Sequence, residues 1–168
     1  MGRVSTGEYS AALQLFAAYG RAVDSAAAVD EIVELLADDP VIVTPGHHRF
    51  EGSAACRGLL IAVVDRLHRS SSSVQHRFTD IHVVAESGAL AASANLLTAT
   101  MTSVADVMYP KLEVLPGDRY ELSQRVEARL VRKGESLVFA EMTMIGLWAS
   151  VERGVSDLTL GDAEQASR

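Results

Sequence analysis

The stretch that decides the fold is LFAAYGRAVDSAAAVDEIVELLADDPVIVTPG, residues 15–46. Its first part belongs to a helix predicted over residues 8–24, because apolar side chains recur there every three or four positions. A short run of alanines leads to a second predicted helix over 29–37. We expect Pro40 to end that helix, since proline disfavours helical geometry in the residue before it.

The next elements follow from turn and strand signals. The β-branched run VIVT (41–44) predicts a strand, and Pro45-Gly46 predicts a turn. Ser53 is a plausible N-cap for a third helix that runs to about Arg69. The serine run 70–73 predicts a break in the chain rather than a regular element.

Beyond residue 74 the apolar pattern changes to a period of two, which predicts strands. These predicted strands span residues 74–85, 89–102, 120–131 and 137–148. Gln124 falls on the otherwise apolar face of the third of these strands, where a polar side chain must find a partner. Helices followed by a long antiparallel meander predict an α+β fold, in which a curved sheet encloses a pocket.

Composition limits the classes of function. The chain has 168 residues and a formal net charge of −7, which suits one domain and argues against a binder of nucleic-acid phosphates. No apolar run approaches the roughly 18 residues of a membrane span, and the N-terminus lacks a signal-peptide core. Cys56 is the single cysteine, which excludes an internal disulfide. We therefore expect a cytoplasmic protein with no nucleic-acid or membrane partner.

The stretch at 15–46, the segment SVQHRFTDIHVVAESG (73–88) and the closing WAS (148–150) resemble the SnoaL-like branch of the NTF2-like superfamily. That branch includes polyketide cyclases, scytalone dehydratase, bile-acid dehydratase and lindane dehydrochlorinase. The resemblance implies a cone-shaped α+β barrel, with N-terminal helices packed in a curved antiparallel or mixed sheet. It covers about residues 8–150 as a single domain, and we expect 151–168 to be a polar, poorly ordered tail.

The resemblance also implies a catalytic site. In the dehydratase and dehydrochlorinase members, a polar residue on the first helix, an aspartate five positions later and a histidine on the first long strand meet in the pocket. Tyr19, Asp24 and His76 occupy the matching positions. Asp24 would orient His76 as a base, and Tyr19 would donate a hydrogen bond to the substrate.

Each of these three residues also has a structural interpretation. Tyr19 lies in the apolar stripe of its helix and could be a core tyrosine, Asp24 could be a capping residue, and His76 could be a structural histidine. Positions five apart differ by about 140° on an ideal helix. Asp24 therefore reaches the pocket only if the helix ends or bends there.

The sequence departs from the family pattern at two positions. The last strand carries Glu141 and Met142 where dehydratase-type members commonly have an arginine. Thr44 occupies about the position of the ketosteroid isomerase base, which argues against a standard ketosteroid isomerase. Further residues are predicted to contact the substrate. They are Phe16, Phe78, Asn95, Gln124, Glu141, Met142 and Trp148.

These observations favour a lyase or isomerase that uses no cofactor and acts on a small apolar molecule of polyketide, steroid or terpenoid type by dehydration, elimination or proton shift. The alternative is a non-catalytic module of the same fold that binds a small ligand or serves assembly. We expect no metal site, because the adjacent His47 and His48 would point in different directions from a strand. By analogy with these folds, a homodimer is expected.

Overall fold

A computed structural model of the chain describes residues 3–25, 29–103 and 114–153. The described part has an α+β fold in which helices precede and interleave with the strands of one sheet. The elements are α1 (Thr6–Asp24), α2 (Val29–Glu34), β1 (Leu36–Val43), β2 (Arg49–Glu51), α3 (Gly52–Ser70), β3 (Ser71–Glu86), β4 (Ala89–Thr102), β5 (Arg119–Lys133) and β6 (Ser136–Glu152).

The six strands form one curved, mixed sheet in the order β2-β1-β6-β5-β4-β3. β1 runs parallel to β6, and every other neighbouring pair is antiparallel. This arrangement confirms the predicted fold class. The helices pack on one face of the sheet, called here the inner face, and none of the described helices is long and apolar enough to span a membrane.

The inner face and the helices share one core. Along β5 the side chains alternate between buried and exposed, with Val126 and Leu130 fully buried. Phe16 of α1 crosses to Phe139 of β6, and their ring centroids lie 5.2 Å apart. The core therefore holds α1 across the middle of the sheet.

α1 begins two residues earlier than predicted. Ser5 and Glu8 form a capping box, in which the Ser5 hydroxyl accepts from the Glu8 N–H and the Glu8 carboxylate accepts from the Ser5 N–H. Together they satisfy two donors at the helix start that would otherwise lack partners. At the other end α1 stops at Asp24, as predicted.

The second helix is shorter than predicted, and the first strand is longer. α2 ends at Glu34 because Leu36 already pairs with Phe139 of β6, and the Phe139 N–H donates to the Leu35 carbonyl. Pro40 lies inside β1 rather than ending a helix. Proline has no backbone N–H to donate to a neighbouring strand. It is tolerated there because the pairing with β6 is irregular between Leu36 and Val41.

The serine run is not a break. Ser70 is the last residue of α3, and β3 begins directly at Ser71. α3 itself starts at Gly52, and the Ser53 hydroxyl does not cap it but donates to the Asp38 carbonyl at 2.7 Å. His76 is consequently the sixth residue of β3, which is an edge strand of the sheet.

The remaining strands follow the predicted pattern, with longer ends. β4 has the predicted bounds, whereas β3, β5 and β6 each extend past them. β6 continues to Glu152, so regular structure passes the predicted domain boundary at 150. The predicted link at 26–28, most of the connection after β4 and the tail from 154 lie outside the described residues.

Candidate active site

A cavity of about 500 Å³ lies between the C-terminal end of α1, helix α3 and the inner face of the sheet. Its walls are mostly apolar, and α3 supplies a large share of them. The apolar side chains of α3 in the wall are Leu59, Leu60, Val63, Val64 and Leu67. Such an enclosed apolar space is typical of a site for a small molecule.

Asp24 and His76 meet at the edge of this cavity. The Nδ1 of His76 lies 2.6 Å from Oδ1 of Asp24, and only 8% of the His76 side chain is exposed. The backbone N–H of His76 also donates to both Asp24 oxygens, at 2.9 and 3.1 Å. Because a carboxylate only accepts, Nδ1 carries the proton in this contact, and in the neutral imidazole Nε2 then has the lone pair.

The end of α1 explains how Asp24 reaches His76. Asp24 is the last residue of the helix, so its side chain is not held about 140° away from the helix face that Tyr19 occupies. A carboxylate is unfavourable at a helix C-terminus, where the helix dipole is negative. The hydrogen bonds from His76 offset that cost. This local conflict is typical of a functional position rather than of one selected for stability.

α1 and β3 are in contact at Gly20. A Cβ atom at this position would lie 3.6 Å from the His76 carbonyl oxygen and 3.6 Å from the Phe78 ring, which is ordinary van der Waals contact. The helix therefore packs directly beside His76, four residues before Asp24 ends it.

Tyr19 lines the cavity with its hydroxyl end and packs into the core with its ring. The ring contacts Phe78 and Phe139, at centroid distances of 6.2 and 5.8 Å. Burial raises the pKa of Tyr19 to about 12, so the hydroxyl keeps its proton at neutral pH. None of the described residues hydrogen-bonds to this hydroxyl, which leaves it available to a ligand.

The predicted substrate-binding residues divide into three groups. Gln124 is buried and lines the cavity. Three apolar residues of the predicted set do not line the cavity. They lie in the core behind its wall, where they support Tyr19 and α1. They are Phe16, Phe78 and Met142.

The third group lies on the outer face of the sheet. Asn95 is exposed and donates to Asp80, Glu141 pairs with Arg49 at 3.3 Å, and half of Trp148 is exposed. Glu141 borders an open depression on that face, together with His82. Glu141, which was predicted to contact the substrate in place of an arginine, therefore does not line the cavity.

Sequence reasoning missed several polar residues that line the cavity. Thr98 and Thr100 of β4 are buried in its wall, and the exposed Arg66 and His48 lie at its rim. Threonines at alternate positions of LLTATMT (96–102) could have indicated Thr98 and Thr100. None of the described lining residues is an aspartate or glutamate. In the described part of the chain, no three His, Cys, Asp or Glu side chains are grouped to hold a metal.

A family model described as a SnoaL-like domain matches residues 5–143, which is most of the chain. The chain belongs to the SnoaL-like family. The match spans all three residues of the candidate site. No curated protein sequence matches this SnoaL-like chain.

Solved structures share the fold of this SnoaL-like protein at low identity. A candidate aromatic ring hydroxylase from Novosphingobium aromaticivorans is 18% identical over 92% of this chain and 98% of that one, with a TM-score of 0.69. A candidate scytalone dehydratase from the same species is 12% identical, covers 85% and 86%, and has a TM-score of 0.69. The hexachlorocyclohexane dehydrochlorinase LinA-type3 from Novosphingobium barchaimii is 12% identical, covers 89% and 92%, and has a TM-score of 0.68.

Proposed function

We propose that this protein is a lyase or isomerase that needs no cofactor and removes a proton from carbon in a small, largely apolar molecule. The observation that carries this proposal is the pairing of His76 with Asp24 at the wall of an apolar cavity. A base, an orienting carboxylate and a dry space are sufficient for elimination, dehydration or a proton shift. The names of the dehydratase and the dehydrochlorinase that share this fold support the same class of reaction.

His76 acts as the base in this proposal. Its Nε2 takes the proton from a carbon next to the leaving group, the C–H electron pair becomes the new double bond, and the leaving group departs with its own pair. Asp24 holds the ring through Nδ1 and stabilises the imidazolium that forms. In an isomerisation the same imidazolium returns its proton to another carbon of the substrate.

Tyr19 supplies the hydrogen bond for the charge that develops on the substrate. Its buried hydroxyl remains a donor at neutral pH and faces the cavity that His76 also lines. A donor fixed before the reaction stabilises an enolate or a departing oxygen without reorganisation. The aromatic contacts of Tyr19 with Phe78 and Phe139 keep its ring in place.

The substrate class follows from the size and lining of the cavity. A volume of about 500 Å³ with leucine and valine walls suits a polyketide, steroid or terpenoid intermediate. The alternative function is a non-catalytic module that holds such a molecule, or that serves assembly, without transforming it. His76 distinguishes the two, because binding alone does not require a base.

Ring opening of 5-nitrobenzisoxazole tests the proposed base, because that reaction needs only proton abstraction from carbon and gives a coloured product. We expect the wild-type protein to accelerate it, and His76→Ala to lower the rate by about 10²–10⁴-fold. The matched control is His82→Ala, since His82 lies on the same strand but is exposed on the outer face. Equal rates for wild type and His76→Ala would favour the binding module.

We also propose that residues 8–150 form one domain of a cytoplasmic homodimer. The outer face of the sheet supports the dimer, because apolar side chains are exposed together near the end of β6. They are Ile145, Leu147 and Trp148. Apolar patches of this kind commonly mark contact surfaces. Sedimentation equilibrium of the full chain measures the oligomeric state, and a monomer at micromolar concentration would contradict the dimer.

A further inference from the structure

The sheet side of the cavity carries a strip of buried polar side chains that the proposed mechanism does not use. Thr98, Thr100 and Gln124 line the cavity, and their exposed fractions are 6%, 5% and 5%. They project from the inner faces of β4 and β5. We refer to these three residues as the polar strip.

The polar strip has no protein partner in the described part of the chain. Neither threonine hydroxyl hydrogen-bonds to a described residue, nor does the Gln124 amide, and their polar atoms open into the cavity. Thr102, the next inward threonine on β4, differs because its hydroxyl donates to the carbonyls of Leu115 and Asp118. Buried polar groups are normally satisfied, so the polar strip is arranged for something that enters the cavity.

Strand register places the polar strip relative to the base. Thr98 is the direct cross-strand neighbour of His76, and Leu122 is the next residue in that row. Gln124 lies one inward position further along β5. Neighbouring strands are about 4.8 Å apart and inward positions about 6.8 Å, so the Cα atoms of His76 and Gln124 lie roughly 12 Å apart along the sheet.

We propose that the natural ligand is an oxygenated apolar molecule, and that Gln124 holds a hydroxyl or carbonyl oxygen remote from the carbon that His76 deprotonates. That His76 deprotonates this ligand rests on the proposed function. An amide offers both a donor and an acceptor, so it can hold either kind of neutral oxygen. Thr98 offers a second hydrogen bond to an oxygen close to the base.

Water explains why the polar strip selects for oxygen. In the empty cavity, water can bind the amide and the threonine hydroxyls. A ligand that displaces this water must replace its hydrogen bonds or lose affinity. A hydrocarbon cannot replace them, whereas a hydroxyl or carbonyl group can. Gln124 therefore discriminates between two ligands of nearly the same shape.

Naphthalene and 2-naphthol form a suitable pair of probes, with affinities measured by isothermal titration calorimetry. A purely apolar cavity would prefer naphthalene, because the hydroxyl of 2-naphthol would be desolvated without a partner. We expect the wild-type protein to prefer 2-naphthol by about tenfold, which is the effect of one good hydrogen bond. In Gln124→Met, which keeps the length but removes the amide, the preference should disappear.

The matched control is Gln75→Met, because Gln75 is exposed on the outer side of β3. That variant should keep the wild-type preference. The melting temperature of Gln124→Met supplies a second measurement. We expect it to equal or exceed the wild-type value, since removal of an amide that bonds none of the described residues loses no hydrogen bond to them. A fall of several degrees would mean that Gln124 supports the fold, and would overturn the proposal.

Two further results would overturn the proposal, namely a wild-type protein that does not prefer 2-naphthol and a Gln124→Met variant that still does. Failure of the proposed function looks different. In that case His76→Ala would leave ring opening of 5-nitrobenzisoxazole unchanged while Gln124 still governed the preference for 2-naphthol. The oxygen-binding site would then stand as part of a binding module.

Discussion

The inner face of the sheet has two ends that use the same strands for opposite purposes. At one end, called here the closed end, buried apolar side chains pack against the helices. Its residues include Leu90, Ala92, Leu130 and Phe139. At the other, called here the cavity end, the strands border the cavity. Its residues include Thr98, Thr100, Leu122 and Gln124.

The comparison shows how one fold separates stability from chemistry. The closed end buries apolar surface, which is the main stabilising contribution to a domain of this size. The cavity end leaves space unfilled, holds polar groups that bond none of the described residues, and puts a carboxylate at the unfavourable end of a helix. Such features reduce stability, and proteins keep them where function requires them. Variants at the two ends should therefore change different quantities.

Asp24→Asn should give the largest effect, and it should act on turnover alone. An amide can donate to Nδ1 of His76 and so favour the wrong tautomer, which leaves Nε2 protonated and unable to act as a base. We expect a loss of about 10²–10⁴-fold in the ring opening of 5-nitrobenzisoxazole. The melting temperature should change little, because removing the unfavourable charge at the helix end offsets weaker hydrogen bonds.

Asp65→Asn is the control for this prediction, because Asp65 is exposed on α3 and, among the described residues, pairs only with Arg69 of the same helix. Its turnover should match that of the wild-type protein. A variant Asp24→Asn that melted several degrees lower and kept its rate would assign Asp24 to the fold instead. The cavity end would then share the structural role of the closed end.

Phe139→Ala tests the closed end. Phe139 is 1% exposed and contacts both Phe16 and Tyr19, so its removal leaves a cavity within the core. We expect the free energy of unfolding to fall by about 3–5 kcal/mol, measured by chemical denaturation. Met144→Ala, at the cavity end of the same strand, should lose less than about 2 kcal/mol, because Met144 already borders empty space. Equal losses would contradict the distinction between the two ends.

The closed end and the strands could be predicted from the sequence because their signals are local. The alternation along residues 120–130 gave the buried face of β5 directly. The meeting of Asp24 and His76 was predicted by the family resemblance together with the expected end of the helix. Periodicity alone could not supply it, because the two residues lie 52 positions apart in the chain.

The cavity end could not be predicted in the same way, because its features depend on pairing. His76 and His82 would share a face of a regular strand, but Asp80 has a φ of 50° and the register shifts between Thr79 and His82. That irregularity turns His82 outward. On β4, small and apolar residues occupy both faces, so the sequence did not show that Asn95 points out.

The boundary between the two ends runs through Tyr19, whose ring packs in the core while its hydroxyl faces the cavity. Burial raises its pKa from 10.0 to about 12. Below about pH 10 the phenol is protonated in both the folded and the unfolded protein, and its contribution to stability is constant. Between about pH 10 and pH 12 the unfolded chain ionises first, so stability falls as the pH rises.

Tyr19→Phe removes this ionisation, so the variant should lose less stability at alkaline pH than the wild-type protein does. We expect the difference between the two losses to be about 2 kcal/mol from pH 9 to pH 11.5, measured by urea denaturation at each pH. Tyr9→Phe is the control, because Tyr9 lies on the same helix but is 41% exposed, against 4% for Tyr19, and we expect this variant to follow the wild-type curve. Parallel curves for Tyr19→Phe and wild type would mean that water already solvates the Tyr19 hydroxyl. The Tyr19 hydroxyl would then belong to the cavity end and not to the core.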